Sequence, residues 1–537
     1  MHAESKLSMS ISDPELRPSP TRVLHLIERF SKGGASRAAC YISKYLSRIG
    51  NYEHSIASLL PSDPSASPIA FANKIRVLQS NDWEVIKNEM GKHDLVVVNW
   101  WNSAAMQRFL NSDFPPCRLI AWCHVGGHLR PQLITKKIID FFDMTVACSP
   151  YTYECNAIQS LPENTREERT DMVYGPTDFE NFNGITPMPH NGFNVGYIGT
   201  VDYTKMHKRF IEMCKMIQID DAKFIVCGGN MGGHLPWKAK QLGIGEKMDF
   251  RQYVDPGSVL CELDVYGYPL CEDTYAASEL NIQEAMFAGV PVVAFPYGGI
   301  KRLITDHQTG LLVNTEKEYA EAIEYLYHNP VERKRIGSNA AQYAQQVFGA
   351  ENAAPNMKKV YDKVLSIPKL KRKWSLGGDA VRYAPGEMDP PQEEDLVSGS
   401  DYFIESLGDQ GEEFKLSKMS VDISEIFEAE KEIACLSDLM QRTVRNSYGN
   451  YYNNDPYFRL WTALFLMRHG NYMEAAMHLA KSIEFGLGHW RVLWYLCQAC
   501  DAMGEKAYAK KLAEKIVQES PQFNEAREYL NGATGNS

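Results

Sequence analysis

With 537 residues, 44% hydrophobic and 23% charged, the chain is long enough for three or four domains and apolar enough to bury a core in each, which excludes wholesale disorder. A formal net charge of -11 excludes a protein whose main partner is nucleic acid, because neutralising phosphates needs a concentrated basic face. No run of about eighteen apolar residues occurs, so no ordinary membrane-spanning helix is expected, while peripheral attachment at the inner face of a membrane stays open.

Residues 1–20 are polar, lack the apolar core of a signal peptide and read as a disordered tail. From Arg22 onward, short apolar runs such as VLHLIERF, DLVVVNW, RLIAWCHV and MTVACSP alternate with amphipathic segments. That alternation predicts a parallel, doubly wound sheet over residues 21–185. MVYGPTDFENF, from Met172 to Phe182, breaks the pattern and reads as a connection. A second alternation, FNVGYIGTV through LLVN and a helix from Glu316, predicts another doubly wound lobe over 186–365. Two such lobes in tandem place a cleft between the carboxyl ends of their strands, where ligands of these sheets bind.

Residues 366–419 read as a linker. It opens on the basic PKLKRKW (Lys369, Lys371, Arg372, Lys373, Trp374), either a solvated charge run or a contact for anionic lipid. Residues 386–414 then carry ten acidic and no basic side chains, the composition of a mobile segment. A second basic stretch, LRPQLITKKIIDFF, offers the same two readings of membrane surface or buried helix with a basic edge. From 420 to 537 the pattern is helical. Gly470 and Gly504, Ala475 and Ala509, and Leu479 and Ala513 recur at an offset of 34, the tetratricopeptide period. Twelve cysteines lie scattered in apolar segments, as expected of buried thiols in a reducing cytoplasm, and Cys497 and Cys500 read as two core residues.

The richest segment is YPLCEDTYAASELNIQEAMFAGVPVVAFPYGG. Ser278 is a candidate N-cap, Glu279 to Ala288 a helix, and Gly289 its stop before the strand PVVAF. The helix start, with Ser278, Glu279, Leu280 and Asn281, should face the cleft and suit a diphosphate. Glu284, further along, could accept hydrogen bonds from ribose hydroxyls. In GTVDYTKMHKRF, Gly199 ends a strand, Thr200 follows, and Lys205 lies in the loop after it. SKGGAS places Gly33 and Gly34 after the first strand, where bare backbone can approach a ligand before a helix beginning near Ala35. His124 stands at another strand end, and GGNMGGH reads as a strand-to-helix turn by the base pocket.

These segments resemble the retaining GT-B glycosyltransferases of the group 1 type. Glu284, Ala285, Met286, Gly289, Pro291, Val292 and Val293 match the family run EAMxxGxPVV in order, with GYIGT and TGLLV as further matches. The resemblance implies a metal-independent transferase without a cofactor. Its donor would be a UDP- or GDP-sugar and its acceptor a glycan, a lipid-linked glycan or a protein, in cell-surface polysaccharide or glycoconjugate synthesis. It implies that Lys205 and the Glu279 helix start stabilise the leaving diphosphate, that Glu284 holds the ribose, and that Glu279 and His124 orient the sugar.

Two positions depart from the family pattern. Ala276 stands where the first of two glutamates is usual, leaving Glu279, favoured, or Glu272 as its substitute. Thr200 replaces an arginine, and His207, Lys208 and Arg209 are the candidates to restore its charge. The alternative function is a non-catalytic lobe pair serving as a scaffold. In either case the repeats could recruit a protein partner.

Overall fold

The computed structural model describes residues 19–113, 115–229, 233–387 and 397–534. Most of the expected tail (1–18), the middle of GGNMGGH (230–232) and part of the acidic stretch (388–396) lie outside the described residues.

The first lobe holds β1 (Thr21–Ile27), β2 (Tyr52–Ser58), β3 (Arg76–Val77), β4 (Leu95–Trp100), β5 (Leu119–Cys123), β6 (Met144–Ala147) and β7 (Thr170–Met172) in the order β3-β2-β1-β4-β5-β6-β7. All pairings are parallel. β4 and β5 are buried along their whole length, so both faces need cover, a condition met by helices packed on either side. The second lobe repeats the plan with β8 (Phe193–Ile198), β9 (Ala222–Cys227), β10 (Met248–Arg251), β11 (Val265–Tyr268), β12 (Val292–Ala294) and β13 (Leu311–Leu312), ordered β10-β9-β8-β11-β12-β13. In each sheet the winding reverses beside the first strand, and the residues just past the carboxyl ends of β1, β4, β8 and β9 line one cleft.

The chain crosses between lobes twice. It leaves the first after Met172 and returns through Gly349, whose φ of +62° lies in the left-handed region that glycine tolerates. The helix Ala350–Leu365, expected in the second lobe, packs on the first, where Ala353, Met357, Val360 and Tyr361 share a core with Val23, Ile42 and Leu46. The two crossings are tied together by a hydrogen bond from Ala350 N to Thr177 O (2.9 Å).

The expected linker is folded wherever it is described. β14 (Lys371–Trp374) and β15 (Ala380–Tyr383) form an antiparallel hairpin on the first lobe. Strand alternation turns Arg372 and Trp374 inward. Arg372 ion-pairs with Asp143, both side chains fully buried, and donates to the carbonyls of Phe141 (3.0 Å) and Cys117 (2.7 Å). Trp374 packs edge-on against Phe141 at 5.2 Å. Arg372 and Trp374 of PKLKRKW are therefore core residues and not part of a solvated run, while Lys371 and Lys373 alternate outward. The second basic stretch contains the helix Lys136–Phe141, whose Ile138, Ile139 and Phe141 are buried, and its Lys137 ion-pairs with Glu405 at 2.7 Å. Among the described residues no helix is long and apolar enough to cross a membrane.

The helical region begins at Gly399, before the expected residue 420, and runs to Thr534. Phe403, Phe414, Ile433 and Tyr448 from its early helices share one core with Trp461, Leu479, Leu496 and Ala513 from the later ones. The helices starting at Pro456 and Trp490, and those starting at Tyr472 and Lys506, each recur after 34 residues. Gly470 and Gly504 take left-handed φ values of 75° and 85° at equivalent turns, and Ala475 and Ala509 are buried where neighbouring helices meet. The cysteines of the described chain are free thiols, Cys497 and Cys500 among the buried ones.

Candidate active site

The interlobe cleft has a volume of about 970 Å³ and is lined from both sides. Its second-lobe wall is built on the helix Leu280–Phe287. Glu279 occupies the N-cap position with extended backbone, and Gly289 (φ 73°) ends the helix as expected. Ser278, expected as the N-cap, instead donates its hydroxyl to Gly175 O at the lobe junction (3.1 Å), the same carbonyl that accepts from Gln283 Nε2 (2.9 Å). The junction carbonyl thus draws Ser278 away from the helix amides. Asn281 Nδ2 donates to Ile198 O (2.8 Å), which fixes the helix start to the end of β8. The Leu280 and Asn281 amides precede the first bond within the helix, from Ile282 N to Glu279 O (3.1 Å), and head a helix end that favours an anion.

Lys205 and Glu279 meet at this point. The ammonium lies 2.8 Å from Glu279 Oε2, with side-chain exposures of 12% and 10%, and Tyr268 donates its hydroxyl to the same oxygen at 2.8 Å. Burial works against the Lys205 charge, but the Glu279 carboxylate more than offsets it and raises the lysine above its ordinary range. Lys205 Nζ also lies 5.2 Å from the centre of the Tyr275 ring. The site therefore holds a fixed cation and a fixed carboxylate side by side at a helix start.

Gly199 and Thr200 line the cleft beside Lys205. A Cβ on Gly228, which has a φ of +149°, would lie 1.8 Å from Gly199 O, so the two loops touch through bare backbone. Across the cleft, Gly33 caps the helix Gly34–Ile49, and a Cβ on Gly34 would lie 3.9 Å from Leu280 Cδ1. His124 lines the first-lobe wall. Its Nε2 lies 3.0 Å from Asn99 Oδ1, which as an acceptor assigns the proton to Nε2. Burial, and secondarily His25, push its pKa down to about 3, so the ring is neutral at physiological pH.

Several expected residues stand elsewhere. Glu284 is buried against the guanidinium of Arg37, from the first-lobe helix, and lies off the cleft lining. Glu272 is exposed outside the cleft, so of the two candidate substitutes for the family glutamate Glu279 is the one that lines it. None of the three candidates for the missing charge at Thr200 faces the cleft: His207 stacks on Phe295 (5.3 Å), Lys208 pairs with Asp438 (2.7 Å) and Arg209 with Glu316 (3.0 Å). The other cations of the cleft are Arg29, Lys32 and Arg37 from the first lobe. Their proximity to Gly33 and Gly34 was the available signal. Glu28, Trp101 and Tyr275 are further lining residues that sequence patterns did not reveal, and burial raises the Glu28 pKa against the opposing effects of Ser103 and Arg29. Among the described residues no three His, Cys, Asp or Glu side chains gather into a metal-ligating group.

Two parallel doubly wound lobes facing across a cleft define the GT-B fold. The family Glycosyl transferases group 1 matches residues 178–343, a span that takes in the second lobe. The D-inositol 3-phosphate glycosyltransferase of Corynebacterium aurimucosum is 28% identical over 155 residues, 27% of this chain and 36% of that protein. The alpha-1,3/1,6-mannosyltransferase ALG2 of Dictyostelium discoideum is 33% identical over 82 residues, 15% and 20% of the respective chains. The chain thus spans about a third or less of the length of these relatives. Among solved structures, Anabaena Alr3699/HepE in complex with UDP-glucose aligns with a TM-score of 0.53 at 18% identity, covering 64% of this chain and 99% of that one. Sucrose-phosphate synthase from Thermosynechococcus elongatus aligns with a TM-score of 0.52 at 18% identity and the same coverage.

Proposed function

We propose that the chain is a retaining, metal-independent glycosyltransferase that moves a sugar from a UDP- or GDP-sugar to a glycan, lipid-linked glycan or protein acceptor. The observation that carries this reading is the Lys205–Glu279 pair at the start of the helix Leu280–Phe287, inside the interlobe cleft. A leaving diphosphate needs fixed positive charge, which Lys205 and the Leu280 and Asn281 amides supply without reorganising. The acceptor hydroxyl attacks the anomeric carbon on the face from which the diphosphate departs. The bond to the phosphate oxygen breaks, its electron pair goes to the diphosphate, and the diphosphate takes the acceptor's proton. Glu279 and neutral His124 orient the sugar through hydrogen bonds. Glu284 holds the ribose once Arg37 has moved from it. The 34-residue helical repeat supports a tetratricopeptide-like region, with a protein partner as its ligand.

The test is thermal stability in the presence of UDP and GDP, with mass detection of nucleotide released from a panel of nucleotide sugars. A nucleotide at a hundred times its Kd adds about 2.7 kcal/mol to stability. UDP-glucose, bound in the Anabaena structure, is the first donor to try. The scaffold reading is favoured by Thr200 and Ala276, and a chain stabilised by no nucleotide and releasing none from the panel would favour it over the enzyme.

A further inference from the structure

We propose that Arg442, carried by the C-terminal helical region, is a positioning residue for Lys205, which makes that region a working part of the donor site; this rests on the glycosyltransferase reading of Lys205. The turn that presents Lys205 is organised by one side chain, Asp202. Its Oδ1 accepts from Thr204 N (2.9 Å) and from the Thr204 hydroxyl, while its backbone carbonyl accepts from Lys205 N (3.2 Å) and Met206 N (2.8 Å). The other carboxylate oxygen, Oδ2, receives Arg442 Nη1 at 2.5 Å, and the same nitrogen reaches Thr204 Oγ1 at 3.3 Å. One residue further along this second-lobe segment than His207, Lys208 pairs with Asp438 at 2.7 Å, on the helix that carries Arg442. Two ion pairs thus clip the helix Asp438–Arg442 to the segment that holds the proposed catalytic cation.

The other end of the same helical stretch is rooted in the opposite lobe. After Arg442 the chain runs through a π-helical turn, Thr443–Tyr448, whose wider winding changes the direction in which successive side chains point. Tyr448 is fully buried and donates its hydroxyl to Asn102 Oδ1 (2.7 Å) at the end of β4. Asn102 is held in turn by Ser406 Oγ and Pro131 O at 3.0 and 2.6 Å. A helical element anchored on the first lobe through Tyr448 therefore reaches across to hold a loop of the second. Its grip on the first lobe is enclosed, whereas its grip on the second is partly solvated, with Arg442 42% and Asp202 23% exposed.

That asymmetry makes the proposal separable from a merely structural role. Half-exposed ion pairs contribute little to global stability, so losing Arg442 should disturb the turn and leave the fold intact. The experiment compares wild type, Arg442→Ala and Arg442→Lys by amide hydrogen exchange on the ligand-free full chain, melting temperature, and turnover of the donor that wild type accepts. The expected result for Arg442→Ala is exchange at the Lys205 and Met206 amides faster by about tenfold. Its kcat should fall about tenfold to a hundredfold, the cost of a misplaced catalytic group, with KM and melting temperature little changed. Arg442→Lys should recover most of both effects. Unchanged exchange at Lys205 and Met206 overturns the proposal whatever happens to turnover, and faster exchange with unchanged kcat overturns it equally. A wild-type chain that turns over no donor overturns the glycosyltransferase reading and the catalytic role of Arg442 with it, while the exchange data still report whether Arg442 holds the turn.

Discussion

Replacing Lys205 by methionine separates the electrostatic and structural roles of one side chain. The ammonium is 2.8 Å from Glu279 and nearly out of reach of bulk water, so it offers a developing diphosphate a charge that needs no rearrangement. Losing one such preorganised group costs about 2.7–4 kcal/mol in the transition state, a fall of roughly 10²–10³ in kcat. The same change strands the Glu279 carboxylate. Breaking a fully enclosed pair costs about 3–5 kcal/mol of stability, but Glu279 keeps the Tyr268 hydroxyl at 2.8 Å and opens onto the cleft, so the cost here should fall below that range. Adding Glu279→Gln removes the stranded charge. The double variant should regain much of the lost melting temperature while staying inactive, because both the diphosphate cation and the sugar-side carboxylate are gone. Turnover would be followed by mass detection of released nucleotide and stability by thermal melting. A Lys205→Met protein within threefold of wild-type kcat would refute the role given to Lys205, and recovery of turnover in the double variant would reduce the pair to a structural contact.

Four further outcomes are expected. Arg372→Met leaves Asp143 without its main partner in a fully buried site and should cost about 3–5 kcal/mol in urea unfolding; a loss below 1 kcal/mol would mean that the hairpin adds little to the first-lobe core. His25 and His124 are held down to about 3 by burial, and His54 well below its usual value, so the unfolded chain binds protons first as pH falls below about 6.5. Stability should therefore drop from pH 7 to pH 5 by about 2 kcal/mol per histidine, read from the urea midpoint, and a flat profile would show that these rings do not stay neutral. If Lys205 and the helix start take the place of a divalent ion, as proposed, chelation with EDTA should leave turnover intact, and lost turnover restored by added Mg²⁺ would refute the metal-independent reading. Gly228→Ala drives a Cβ into Gly199 O and should lower nucleotide affinity at least tenfold by equilibrium titration, whereas wild-type affinity would place the nucleotide away from this loop contact.

The doubly wound lobes were legible because buried parallel strands such as LVVVNW leave uninterrupted apolar runs, and the helix over residues 280–287 because Gly289 marks its end. The 34-residue helical recurrence was equally visible, since Gly470 and Gly504 each mark a left-handed turn. Arg372 was misread for a physical reason. A local reading of charge counts a basic run as solvated, and only the distant Asp143 makes it a core residue. The place of Glu284 on its helix was legible in the same way as the helix itself, whereas its partner, Arg37, was not, because it comes from the other lobe. The cleft residues Glu28, Trp101 and Tyr275 lie at strand ends and in loops, where neither periodicity nor capping marks a residue as facing a ligand.

The paired crossings have a mechanical consequence. A single connection would let one lobe swivel about any axis. Here Thr177 and Ala350 join the outgoing and returning segments side by side, and Tyr174 and Phe348 pack against each other at 5.2 Å beside them. Two tethers fastened together act as a door hinge. Both tethers resist swivelling, and the clip from Arg442 to Asp202 adds a further tie that joins the helical region to the second lobe.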